Sequence, residues 1–123
     1  MSGDRADYIQ GLRALADALE QNDDLRLPYE GAVSRITIHY LHAADPIAGL
    51  IAAMQAIPCS FTSQISGFED GGVPADLDLD GELHGVKIQL TAFRKDTCTQ
   101  DEDGTWRIPD AITSRAPEVE ASA

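Results

Sequence analysis

Leu77-Asp78-Leu79-Asp80-Gly81-Glu82-Leu83, His84-Gly85 and Val86-Lys87-Ile88-Gln89-Leu90-Thr91-Ala92 make up the stretch whose reading decides the fold. In both arms apolar residues or glycine alternate with polar ones, the period of a strand with one dry face and one wet face. A two-residue loop at His84-Gly85 predicts an antiparallel hairpin in which Leu83 lies opposite Val86, Gly81 opposite Ile88, Leu79 opposite Leu90 and Leu77 opposite Ala92. All apolar residues then share one face. Histidine is among the non-glycine residues that tolerate positive φ, which suits His84 to the tip. The wet face carries Asp78, Asp80 and Glu82 at intervals of about 7 Å, twice the rise of a strand. Thr91, Gln89 and Lys87 stand opposite them, so only Glu82 gains a cationic cross-strand partner.

Working outward, Asp4 is expected to cap a first helix from about Arg5 to Gln21, with Asp7 as the capping-box acid and Tyr8, Leu12, Leu15, Ala16 and Leu19 at helical spacing. Gly11 weakens that helix and Asn22-Asp23-Asp24 ends it. Leu25, Leu27, Pro28 and Tyr29 form an apolar connector. Val33 to Leu41 reads as a first strand inside the sheet, on the alternation of Ile36, Ile38 and Tyr40 with Arg35, Thr37 and His39. Asp45-Pro46 opens a second helix whose stripe is Ile47, Leu50, Ile51 and Met54, ending near Ala56. Cys59, Phe61, Ser63 and Ile65 form the inward face of a second strand, and the residues from Gly67 to Ala75 a loop. Beyond Arg94 the pattern dissolves, with a turn at Asp101 to Gly104, a short strand at Trp106 to Ile108 and a solvated tail from Pro109 to Ala123.

The order α-β-α-β-β-β points to an α+β fold: a two-layer sandwich with a mainly antiparallel four-stranded sheet and both helices on one face. If the first two strands are parallel, the step between them is a right-handed crossover. Residues 1–108 are expected to form one domain and 109–123 a flexible tail.

The 123 residues include 21 acidic and 9 basic side chains, a net charge of −12. Direct contact with nucleic acid or an anionic membrane relies on Lys and Arg, so the balance disfavours both. An acidic host proteome is the simplest account of the charge; a basic partner is the functional one. No apolar run approaches a membrane span, and the N-terminus lacks the pattern of a signal peptide, which predicts a cytoplasmic protein. In that compartment Cys59 and Cys98 are expected to be free thiols, with Cys59 facing the core and Cys98 the more exposed.

The run Asp7-Tyr8-Ile9, Gly11-Leu12 and Leu15-Ala16, the Leu27-Pro28-Tyr29 connector and the segment from His84-Gly85-Val86-Lys87-Ile88 to Cys98 resemble a family of small uncharacterised proteins of actinobacteria and their phages or mobile elements. The resemblance covers residues 7 to 98, and its motifs are caps, a connector and a hairpin. It implies a genomic setting in which small proteins often act by binding another protein, and it assigns no catalytic or binding residue. Gln100 to Gly104 is more acidic than the family pattern.

Asp76 to Gly81 matches the first half of a calcium loop, but the twelfth position is Lys87 where a bidentate Glu is required. His39 and His42 lie three apart, which on a strand turns them to opposite sides, and no metal site is assigned. Trp106 is either a lid on the core or an exposed anchor for a partner. The simplest reading of Asp78, Asp80 and Glu82 is a solvated row that discourages edge pairing. Their functional reading, with Trp106, is a docking surface for a protein partner with a basic surface. The expected function is a small acidic intracellular protein-interaction module without catalytic residues or cofactor. The alternatives are a nucleic-acid-mimicking inhibitor of a DNA-binding protein and a small metal-dependent hydrolase using the same carboxylates with His39 or His42. A homodimer is left open.

Overall fold

The structure, a computed structural model, describes residues 2–25, 36–67 and 75–119 and divides into two compact units, Met1–Ser34 and Arg35–Ala123. The connector at Leu27 to Tyr29, the start of the first expected strand, most of the loop between Gly67 and Ala75 and residues 120–123 lie outside the described residues.

Among the described residues the first unit contributes one helix, α1 (Ser2–Gln21). It is rich in Ala, Leu and Arg, which lose little rotamer freedom in a helix. The Asn22 side chain donates to the Ala18 carbonyl and closes the last turn. The helix begins at Ser2, so Asp4 sits in its first turn and does not cap it. There its carboxylate still faces the positive end of the helix dipole.

The second unit is built on a four-stranded sheet of β1 (Ile36–His39), β2 (Phe61–Ser66), β3 (Asp76–Leu83) and β4 (Val86–Phe93), in the order β1-β4-β3-β2. The hairpin register is the expected one, pairing Leu83 with Val86, Gly81 with Ile88, Leu79 with Leu90 and Leu77 with Ala92. His84 and Gly85 both take positive φ, at 50° and 87°, the condition for a tight two-residue turn matched to strand twist. β2 is antiparallel to β3, and β1 is parallel to β4. The sheet is therefore mixed, and β1 is an edge strand, not an interior one. Its apolar residues Ile36 and Ile38 remain exposed, which explains why alternation alone misplaced it.

Between β1 and β2 the chain crosses in α2 (Pro46–Ala56). Asp45 accepts from the Ala48 amide and Pro46 occupies the first helical position, as the sequence predicts. Leu50 is fully buried in a core with Phe61, Leu77, Leu79, Ile88, Leu90 and Ala92, and Ile47, Ile51 and Met54 pack against it. Gly81 is the gap in the apolar row because Phe61 lies opposite: a Cβ at Gly81 would stand 2.9 Å from the Phe61 ring.

After β4 come the short turn α3 (Arg94–Thr97), a two-stranded ribbon of β5 (Thr99–Gln100) and β6 (Trp106–Arg107), and the turn α4 (Asp110–Thr113). The expected solvated tail is corrected over residues 109–119. Ile112 and Ala116 are fully buried, and the chain then runs parallel to β2, where the Ser63 amide donates to Pro117 and Val119 donates to Ser63. Ser63 is the polar exception on the apolar face, and its hydroxyl donates to the Ala116 carbonyl at 2.7 Å. A segment too short to show periodicity is thus held by backbone pairing and two apolar residues. Cys98 is also buried, contrary to expectation, and burial pushes its thiol pKa up.

Candidate functional site

Because β-strand side chains alternate, burying the leucines of β3 turns Asp76, Asp78, Asp80 and Glu82 to the sheet's second face. Register aligns that face into rows. One row runs His39, Thr91, Asp78 and Gln64 across β1, β4, β3 and β2; the next runs Thr37, Gln89, Asp80 and Thr62. His39, Thr62, Gln64, Glu82 and Lys87 are exposed.

The three carboxylates expected to form one wet stripe fall into different environments. Asp78 is 7% exposed and accepts hydroxyl bonds from both sides: Thr91 donates to Oδ1 at 2.7 Å and Ser66 to Oδ2. Asp80 is half-buried and accepts from the Gln89 side-chain amide at 3.1 Å. Glu82 is exposed beside Lys87 in register. The expectation of three open acids is corrected at Asp78, whose place on an interior strand between hydroxyl-bearing neighbours encloses it. The cross-strand partners were legible from the hairpin, but Ser66 and Gln64 were not. The signal was present in β2 as Thr62, Gln64 and Ser66, an all-polar alternate row that matches the acids of β3.

Asp76 enters the sequence reading only as the first position of the calcium-loop match. Its carboxyl is held above the usual aspartate range, first by burial and next by the negative charge of Asp78, with His39 acting in the opposite direction. The Asp76 to Asp80 run lies in a continuous strand paired on both sides, a geometry unlike a calcium loop. Among the described residues no group of three or more His, Cys, Asp or Glu is placed to hold a metal ion.

Trp106 is not brought together with the carboxylates. It is half-buried against the core cluster, and the Arg94 guanidinium lies 4.1 Å from its ring centroid. The arrangement is closer to the lid of the two readings offered for it. His42 stands edge-on to Phe93 with ring centroids 5.5 Å apart, while His39 flanks Thr91 in register. The two histidines therefore serve different neighbours.

What the face offers chemically is a hydrogen-bonded array of carboxylates, hydroxyls and amides with net negative charge, in which Asp78, Gln89 and Thr91 are buried and Thr62, Gln64 and Glu82 are exposed. No helix among the described residues is long and apolar enough to cross a membrane. Comparison with protein-family models, with curated proteins and with solved structures finds no match.

Proposed function

We propose that this chain is a non-catalytic protein-interaction module of a mobile-element or actinobacterial setting, and that it docks a protein partner of basic surface on the polar face of its sheet. The observation that carries the reading is the hydrogen-bonded order of that face. Thr91 and Ser66 fix Asp78, and Gln89 fixes Asp80, so the acceptors are held in place before a partner arrives. Preorganised polar groups reduce the entropy lost on binding. Their negative charge favours rapid encounter with a cationic surface.

Asp80 and Glu82 supply the contacts of such a partner, because Asp78 is already enclosed. A nucleic-acid mimic needs a regular series of open charges, and the enclosure of Asp78 weighs against that alternative. Trp106 is left out of the docking surface by its place against the core.

The test is a low-salt pull-down from an actinobacterial lysate with the wild type and with Asp80→Asn/Glu82→Gln. The reading predicts a basic protein retained by the wild type, released by raised salt and lost from the variant. Equal retention by both proteins, or no salt-sensitive species at all, contradicts it.

A further inference from the structure

We propose that residues 116–119 are a guard on the outer edge of β2, and that without them this edge pairs antiparallel with β2 of a second copy of this chain. The inference goes beyond the docking reading and rests on an edge of the sheet, not on its polar face. The guard's hold converges on Ser63. The Ser63 amide donates to the Pro117 carbonyl at 3.0 Å, the Val119 amide donates to the Ser63 carbonyl at 2.8 Å, and the Ser63 hydroxyl donates to the Ala116 carbonyl at 2.7 Å. Ala116 itself is fully buried. Composition separates the guard from the strand beneath it. Phe61 to Ser66 contains no charged residue and no proline, and so lacks the devices that keep an edge strand from templating another chain. Pro117 and Glu118 supply both. In the observed parallel register residues 117 and 119 turn their backbone groups to β2, so Pro117 offers its carbonyl to Ser63 but no amide to Phe61, and the pairing ends there.

The same geometry identifies the occupant that takes the guard's place. Ser63 points its N–H and C=O away from β3 and toward the guard, so by strand alternation Phe61 and Ile65 point theirs to that side too. A twofold axis at Ser63 then pairs Ser63 with Ser63 of the second copy and Phe61 with Ile65, each pair exchanging both backbone bonds. Phe61 meets Ile65 on the apolar face, and Thr62 meets Gln64 on the polar one. In a chain of net charge −12, two copies repel wherever their acids meet. β2 is the strand of the four-stranded sheet without an ionisable side chain, so this seam sets no carboxylate against another within the strand pair. An antiparallel ladder along the strand also replaces a single parallel bridge.

The experiment compares full-length chains by sedimentation equilibrium over about a hundredfold range of concentration, which resolves an association that obeys mass action. The wild type, with its guard seated, is predicted to be a monomer. Ala116→Asp would bury a charge if the segment stayed down, so it should lift the guard and give a dimer. Val119→Pro removes the amide that donates to Ser63 with less disturbance of the core, and should move the equilibrium the same way. If Ala116→Asp does not fold, Val119→Pro decides. Adding Thr62→Lys/Gln64→Lys to either variant sets lysine opposite lysine across the seam and should return it to monomer. Hydrogen exchange gives the local readout: in both guard variants the Ser63 amide should exchange fast when dilute and slowly when concentrated. Folded guard variants that stay monomeric, a dimer that persists with both lysines, a Ser63 amide indifferent to concentration, or a wild type that dimerises as readily as the variants overturns the proposal.

Discussion

Asp78, Asp80 and Glu82 occupy alternate positions of one strand, yet they answer to different physics. The hydroxyls of Thr91 and Ser66 enclose Asp78, so replacing it with Ala strands two donors and should cost about 1–3 kcal/mol. Asp80→Asn and Glu82→Gln should each stay within about 0.5 kcal/mol, as exposed or half-exposed substitutions do. Urea melts of the three variants check the contrast. Asp76 gives a pH signature. Its carboxyl is held above the usual range, so its protonated form is favoured in the folded state. Asp76 therefore supports the fold while it holds its proton, and that support is lost as pH rises through its folded value. Asp76→Asn should accordingly stabilise the protein most at neutral pH, and the advantage should shrink on acidification toward the ordinary aspartate value. Melts at the two pH values test this; an advantage that grows in acid contradicts it. The sequence showed which way these acids point, because strand alternation is local. It did not show how enclosed each one is, because Ser66 belongs to a strand whose register is set by tertiary pairing.

At the scale of elements, the hairpin was legible to the residue. Period-two alternation and a His-Gly tip leave one register that puts Leu77, Leu79, Ile88 and Leu90 on the same face. The cap of α2 was legible for the same local reason, since Asp45 and Pro46 act within one turn. The place of β1 was not. Ile36 and Ile38 alternate as an interior strand would, but order in a sheet depends on contacts distant in sequence, and here the mate is β4. Ser63, the polar residue on the inward face of β2, is its link to residues 116–119. Ser63→Ala should remove the donor from the Ala116 carbonyl at a cost of about 1–3 kcal/mol. It should also speed hydrogen exchange at the Val119 amide, whose acceptor is the Ser63 carbonyl. An unchanged Val119 exchange rate would separate Ser63 from the hold on this segment.

At the scale of the whole chain, the fold is a division of labour between two faces of one sheet. Leu50, Leu77, Leu79, Leu90 and Ile112 are fully buried on one side, and β3 turns its acids to the other, with Asp78 enclosed there and Glu82 exposed. The burial of Ile112 was invisible beforehand because a single turn around Asp110 to Thr113 carries no readable period. The polar face was visible as a charge pattern; its hydrogen-bonded order was not, because it depends on the tertiary pairing of β2 with β3. The proposed function has this polar face receive a cationic partner. The most direct measurement is an NMR titration with a lysine homopolymer, a defined cationic ligand. The account predicts that side-chain amide signals of Gln64 and Gln89 and the Thr62 methyl shift together in a salt-sensitive manner, while the Leu79 and Leu90 methyls stay fixed. Shifts confined to Asp101 to Asp103, with the sheet's polar side chains unmoved, would contradict it.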